Sequence, residues 1–360
     1  MQRTTTWPNN QRGLNKTRVL MADTLAQTMG LVDRFPALNA DTLVQRFVPP
    51  PRFASATFAN YSPNPEFSSQ SSAREDLERF AQTINSTSER PRTSWNPFKK
   101  SHAPKSRPGV YLDGGFGVGK THLLTALWFE ASGAKAYMSF EELTAFIGFA
   151  GMDKAVATFR NHRLLCIDEF ELDDVANTLM VVSFLRGLLE DGPPTHLATT
   201  SNTIPGSLGE QRFSASEFRR EIASIADHFT ELRIDGPDYR VDHAASPLTL
   251  RQFEAMDSSA ESVGFEALLE HLSRVHPVQY SALFDNVAHV TIDGLRTINE
   301  QDVALLFVQF VDKAYDAHIP VRFNGCATEE IFATRYRSGG YRKKYGRAES
   351  RINAMRSESQ

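Results

Sequence analysis

Cysteine is nearly missing from these 360 residues, with only Cys166 and Cys326 present. Neither has a second metal-type ligand at a zinc spacing, and both read as free, buried thiols of a reducing compartment. A dominant charge is missing too. The 39 Lys and Arg against 43 Asp and Glu leave a net charge of -4, which gives no overall drive toward nucleic acid or anionic lipid. No apolar run is long enough to cross a bilayer; the longest, Leu179 to Leu189, is interrupted by Arg186. The stretch from Met1 to Asp23 lacks the apolar segment of a secretory signal. Its Arg3, Arg12, Lys16 and Arg18 faintly resemble a mitochondrial presequence, but Pro8, Asn9 and Asn10 interrupt any helix there. A cytoplasmic protein with no transmembrane segment is expected. No internal repeat is visible.

What remains is ordinary globular material, 41% hydrophobic and 23% charged, in a chain longer than one average domain and shorter than three. Helical periodicity runs from Ala22 to Phe47 and stops at Pro49, Pro50 and Pro51. Residues 52–72 read as extended surface chain, Ser72 to Ile84 as a helix, and Asn85 to Arg107 as an exposed Ser-, Pro- and Lys-rich loop. Strand and helix then alternate. The strands are Gly109–Asp113, Ala134–Ser139, Arg163–Asp168, Thr195–Ser201 and Glu231–Ile234, and helices follow the P-loop motif GGFGVGKT at Gly114–Thr121 and span Asp173–Glu190 and Ser216–His228. These strands are apolar without alternation, which predicts a parallel sheet flanked by helices. Beyond residue 246 come a looser helical stretch, a strand at Val287–Ile292, a helix at Glu300–Ala317, the strand IPVRFNG and a basic tail. The expected architecture is an α/β P-loop core at 108–245, preceded by an extension and linker at 1–107 and followed by an accessory α+β region at 246–360.

Chemistry enters at GGFGVGKT, Gly114 to Thr121, which satisfies G-x-x-x-x-G-K-[ST] between a strand and a helix. Gly114, Gly115, Phe116, Gly117, Val118 and Gly119 would close their N–H groups around the β- and γ-phosphates of ATP. Lys120 would neutralise those phosphates and the Thr121 hydroxyl would ligate Mg²⁺. The second element, LLCIDEF, is a buried strand ending in two carboxylates, a placement that asks for a cation at its tip. Asp168 is placed to hold Mg²⁺ through its water shell, and Glu169 to polarise an attacking water. At the end of THLATTSN, Asn202 fits a residue that senses the γ-phosphate. A guanidinium to stabilise the transferring phosphoryl group has several candidates: Arg219, Arg220, Arg240, Arg347 and Arg351.

The ordered set GGFGVGKT, LLCIDEFELDD, ATTSN, GPDYR and RAESR is similar to the ZapE/AFG-type (lactation-elevated ATPase-like) family of the AAA+ class. FVPPPRF and GGYRKKY resemble its actinobacterial branch. The resemblance covers most of residues 40–357. It implies an ATP-binding loop at Gly114–Thr121, a Walker B pair at Asp168 and Glu169, a sensor 1 residue at Asn202 and a sensor 2-like arginine at Arg347 or Arg351. Two departures stand out. VALLF at Val303 to Phe307 occupies the place of a pair of arginines common in the family, and residues 246–276 match it poorly.

The resemblance implies an ATPase that assembles in an ATP-dependent way and moves or remodels a partner protein. In the cell-division branch that partner belongs to the division machinery, FtsZ among it; in the mitochondrial members the role is protein quality control. An alternative is a nucleic-acid-associated ATPase similar to a helicase loader. It rests on a basic tail in which Arg335, Arg337, Arg342, Lys343, Lys344 and Arg347 interleave with Tyr336, Tyr341 and Tyr345. The acidic balance of the whole chain disfavours it. A small-molecule kinase is disfavoured too, because a carboxylate beside the Walker B aspartate suits water as the nucleophile.

Overall fold

The apolar runs become five parallel strands: β1 (Gly109–Gly114), β2 (Lys135–Ser139), β3 (Leu164–Asp168), β4 (His196–Ser201) and β5 (Phe229–Ile234). They are seen in a computed structural model that describes residues 30–37, 39–86, 108–115, 117–170, 175–190, 195–202, 226–237 and 260–358. The chain divides into two units, one of residues 38–246 and one of residues 1–37 with 247–360.

In the first unit the strand order is β2-β3-β4-β1-β5. The central strands β3 and β4 are buried along their whole length, as a sheet covered on both faces requires. Among the described residues the helices of this unit are α1 (Ala40–Gln45), α2 (Ser68–Ser86), α3 (Lys120–Glu130), α4 (Phe140–Ala150), α5 (Met152–Phe159) and α6 (Val175–Glu190). Leu77, Ala81 and Ile84 of α2 join Leu123, Leu124 and Leu127 of α3 in one core with Val110, Leu112 and Cys166 of the sheet. On α4, α5 and α6, Phe146, Phe159 and Phe184 pack edge to face with centroids 5.5 and 6.0 Å apart. A capping box closes the start of α4, where Ser139 Oγ accepts from Glu142 N at 3.2 Å and Glu142 Oε2 accepts from Ser139 N at 2.8 Å.

The N-terminal boundary needs correction. Residues 38–86 belong with the P-loop unit and not with a separate extension, because the apolar face of α2 is one wall of that core. Of the expected helical run Ala22–Phe47, residues 22–29 and 38 lie outside the described residues, and the described ones form a 3₁₀ turn at Leu31–Asp33 and the short α1. Pro36 breaks the run, and Asn39 starts the helix afresh by accepting from Asp41 N at 2.9 Å. Helix α2 also starts four residues before the expected Ser72. The expected helix at Ser216–His228 lies outside the described residues apart from 226–228, and so does the expected loop Asn85–Arg107 apart from Asn85 and Ser86, which close α2.

The second unit holds three parallel strands in the order β6-β7-β8, with β6 (Ala260–Gly264), β7 (His289–Leu295) and β8 (Val321–Gly325). Helices α7 (Phe265–Arg274) and α8 (Gln301–Asp316) make the crossovers, and α9 (Arg342–Glu358) packs on α8 and β8. The VALLF departure has a physical reason here: Ala304 and Phe307 are buried, and Val303, Leu305 and Leu306 pack against the same core. Leu31 is buried in that core as well, and Arg34 donates to Leu283 O at 2.9 Å and Asp285 O at 2.8 Å. Residues 30–37 are thereby stitched to the C-terminal unit. Among the described residues no helix is long and apolar enough to cross a membrane.

Candidate nucleotide site

The P-loop is a bend of glycines between β1 and α3. Gly117 and Gly119 take φ of 68° and 89°, values an L side chain rarely adopts. A Cβ on Gly114 would meet Ile234 O at 2.2 Å. Gly119 is the N-cap of α3 and offers no side-chain cap, so the first N–H groups of the helix are oriented for an anion. Gly115 belongs to the same bend; Phe116 lies outside the described residues. Beneath the loop, Tyr61 OH donates to Val118 O at 3.1 Å, and a Cβ on Gly119 would stand 2.6 Å from the Tyr61 ring. Burial pushes the Tyr61 phenol up to about 12, so it is a donor at any working pH.

Lys120 Nζ donates to Gly114 O at 2.7 Å, to Gly115 O at 2.5 Å and to Asn202 Oδ1 at 2.9 Å. Thus the tip of β4 meets the P-loop lysine directly. The tip of β3 stands beside it. Thr121 Oγ1 donates to Asp168 Oδ1 at 3.4 Å, Tyr137 OH donates to Asp168 Oδ2 at 2.8 Å, and the Thr200 hydroxyl donates to Asp168 Oδ1. Burial first, and then the neighbouring Glu169 carboxylate, push the Asp168 carboxyl above its usual range, against the lowering effect of these hydrogen bonds. Glu169 takes φ of 54°, a left-handed conformation that costs a non-glycine residue about 1–3 kcal/mol and is kept where the surroundings over-determine it.

Thr121 and Asp168 present hard oxygen donors side by side, the donor type that suits Mg²⁺ held jointly by a protein and its phosphate ligand. The raised Asp168 carboxyl fits a cation too, since a buried carboxylate of this kind gains from a nearby positive charge. Lys120, Thr121, Asp168, Glu169 and Asn202 are therefore brought together at the carboxyl ends of β1, β3 and β4. Arg347 and Arg351 lie in the other unit, on α9. There Asp312 of α8 binds Arg347 Nη2 at 2.7 Å and Arg351 Nη1 at 2.5 Å. Arg219, Arg220 and Arg240 lie outside the described residues.

Three residues of this site escape a reading of the sequence. Tyr137 sits in an apolar strand and reads as a core aromatic, Thr200 as a β-branched strand residue, and Tyr61 lies in a stretch without periodicity. Only the strand order gives Thr200 away, because it brings the end of β4 against Asp168.

With this geometry, the chain matches the AFG1-like ATPase family over residues 49–249 and 242–360. The chain belongs to that family. The match spans both units, so the apolar C-terminal core is family structure together with the P-loop core. The P-loop, the parallel sheet and its flanking helices form an α/β P-loop architecture, and nucleotide binding is the property shared with this family of ATPases. Solved structures with likeness to the chain include the DnaC helicase loader, 18% identical over 51% of this chain and 99% of its own with a TM-score of 0.35. Another is domain III of the Thermotoga maritima replication initiation protein DnaA, 15% identical over 71% of this chain and 97% of its own with a TM-score of 0.38. Similarity this low transfers no activity. No curated protein matches the chain.

Proposed function

We propose that this protein hydrolyses Mg²⁺–ATP and uses the cycle to move or remodel a partner protein. The convergence of Lys120, Asp168, Glu169 and Asn202 carries the reading. Lys120 would exchange the Gly114 and Gly115 carbonyls for the β- and γ-phosphates while keeping Asn202 within reach. Thr121 and Asp168 would hold Mg²⁺, which neutralises charge on the phosphates when bound. Glu169 takes a proton from water as its oxygen bonds to the γ-phosphorus and the bond to ADP breaks. Asn202 orients that water or the γ-phosphate. The resemblance would make Arg347 or Arg351 the sensor 2-like arginine; both are held by Asp312 here.

The work done with ATP rests on the resemblance to cell-division ATPases: a cytoplasmic protein that assembles with ATP and acts on division-machinery proteins such as FtsZ. Protein quality control is the other branch of the same proposal. The helicase-loader alternative finds less support. Tyr336 and Tyr345 are buried and stacked on each other with centroids 5.1 Å apart, so their faces are taken, and Arg337 is bound to Glu349 at 3.0 Å. Phosphate release by the purified chain with ATP and Mg²⁺ tests the proposal. It should vanish in Lys120→Ala and be unaffected by single-stranded DNA. No release from the unaltered protein overturns it, and steep stimulation by single strands would move the reading to nucleic acid.

A further inference from the structure

Thr200 makes three bonds to the turn that carries both acids. Its hydroxyl donates to Asp168 Oδ1 and accepts from Glu169 N at 3.0 Å, and its carbonyl accepts from Phe170 N at 2.7 Å. The residue is 2% exposed, so no solvent competes for these groups. On the far side Tyr137 OH, fully enclosed on β2, holds the second oxygen of Asp168. Asp168 is gripped from both neighbouring strands, which fixes the plane of its carboxylate. Glu169, with its left-handed φ, is where the chain leaves β3, and the Thr200 hydroxyl receives the N–H of that same residue.

We infer that Thr200 is the positioning residue of this site: one hydroxyl sets the orientation of Asp168 toward the metal and the backbone direction of Glu169 toward the attacking water. The inference rests on the hydrolysis reading above. Its chemistry is specific. A hydroxyl both donates and accepts, and a valine of the same shape does neither. The bond from Phe170 N to Thr200 O and the one from Glu169 N to Asp168 Oδ1 at 3.1 Å survive such a change, so the turn persists while the two acids lose their shared contact with β4. Groups that orient metal ligands typically change metal affinity or activity by about 10- to 100-fold when removed.

The test compares Thr200→Val and Thr200→Ser with the unaltered protein in three measurements: ATP turnover, binding of a fluorescent ATP analogue, and the Mg²⁺ concentration that half-saturates that binding. Thr200→Val should lower kcat by about 10- to 100-fold and raise the Mg²⁺ requirement by about 10-fold, with analogue affinity at saturating Mg²⁺ changed less than about 3-fold. Thr200→Ser, which keeps the hydroxyl, should restore turnover to within about 3-fold of the unaltered protein. Unchanged turnover and Mg²⁺ requirement in Thr200→Val overturn the assignment. So does equal loss in both variants, or a loss of analogue binding that matches the loss of turnover, since either marks general damage to the fold. If the unaltered protein binds nucleotide but never turns it over, the hydrolysis reading fails instead, and the Mg²⁺ requirement of Thr200→Val still decides the role of the hydroxyl.

Discussion

The ammonium of Lys120 meets the side-chain oxygen of Asn202 at 2.9 Å across 82 residues of sequence. This contact exists because β4 lies between β3 and β1, which sets the end of β4 against the P-loop. In the proposed function it puts Asn202 in hydrogen-bond reach of the group that would hold the γ-phosphate. In Asn202→Ala, ATP turnover should fall by about 100-fold, the loss typical of one removed transition-state donor, while ATP affinity changes little. Single-turnover kinetics beside equilibrium binding separates the two effects.

Tyr61 supports the P-loop from below. Gly119→Ala combines a left-handed position with a Cβ driven into the Tyr61 ring, and should lose at least ~2 kcal/mol of stability together with nucleotide binding. Tyr61→Phe keeps the ring and loses only the bond to Val118 O, an effect of about 1 kcal/mol. Chemical denaturation of both variants checks the order.

In the C-terminal unit, Asp312 is the shared partner of Arg347 and Arg351, whose side chains are 12% and 10% exposed. Asp312→Ala leaves the partly buried Arg347 and the buried Arg351, which keeps Asp316 at 3.8 Å, without their shared carboxylate and should cost about 3 kcal/mol. Arg351→Ala, which leaves Asp312 its bond to Arg347, should cost less. A larger loss in turnover than in stability for Arg351→Ala would assign that arginine to phosphate.

Asp168 sets a pH dependence with a definite sign. Its folded-state carboxyl lies above the ordinary carboxylate value through burial and Glu169. Without ligand the folded protein holds this proton more tightly than the unfolded chain, so Asp168 weakens the fold as pH rises from the usual carboxylate range through the raised value. Mg²⁺ needs the ionised form. The gain in Tm from Mg²⁺–ATP should therefore be smaller at pH 5 than at pH 8. A gain that is flat or reversed across this range contradicts the assignment of Asp168.

Much of the P-loop unit is legible in the sequence because its signals are local. The glycines of Gly114–Thr121, the unbroken apolar run before Asp168 and the helix after it all lie within single segments. Tyr137, Thr200 and Tyr61 are not legible, since each gains its role from a partner on another strand or segment. The placement of α2 against the sheet is hidden for the same reason: its apolar face shows in the sequence, but what it packs on does not. The VALLF segment shows the opposite case, where a departure from the family pattern becomes understandable once Phe307 is seen between Phe265 and Phe310.

The most direct test of the account is ATP handling by Glu169→Gln. The amide keeps the size of the side chain and removes the base. ATP should bind with affinity within a few-fold of the unaltered protein while turnover drops by about 100-fold or more, in line with the loss of a general base. Turnover at the unaltered rate, with ATP bound normally, would contradict the claim that Glu169 directs water at the γ-phosphate.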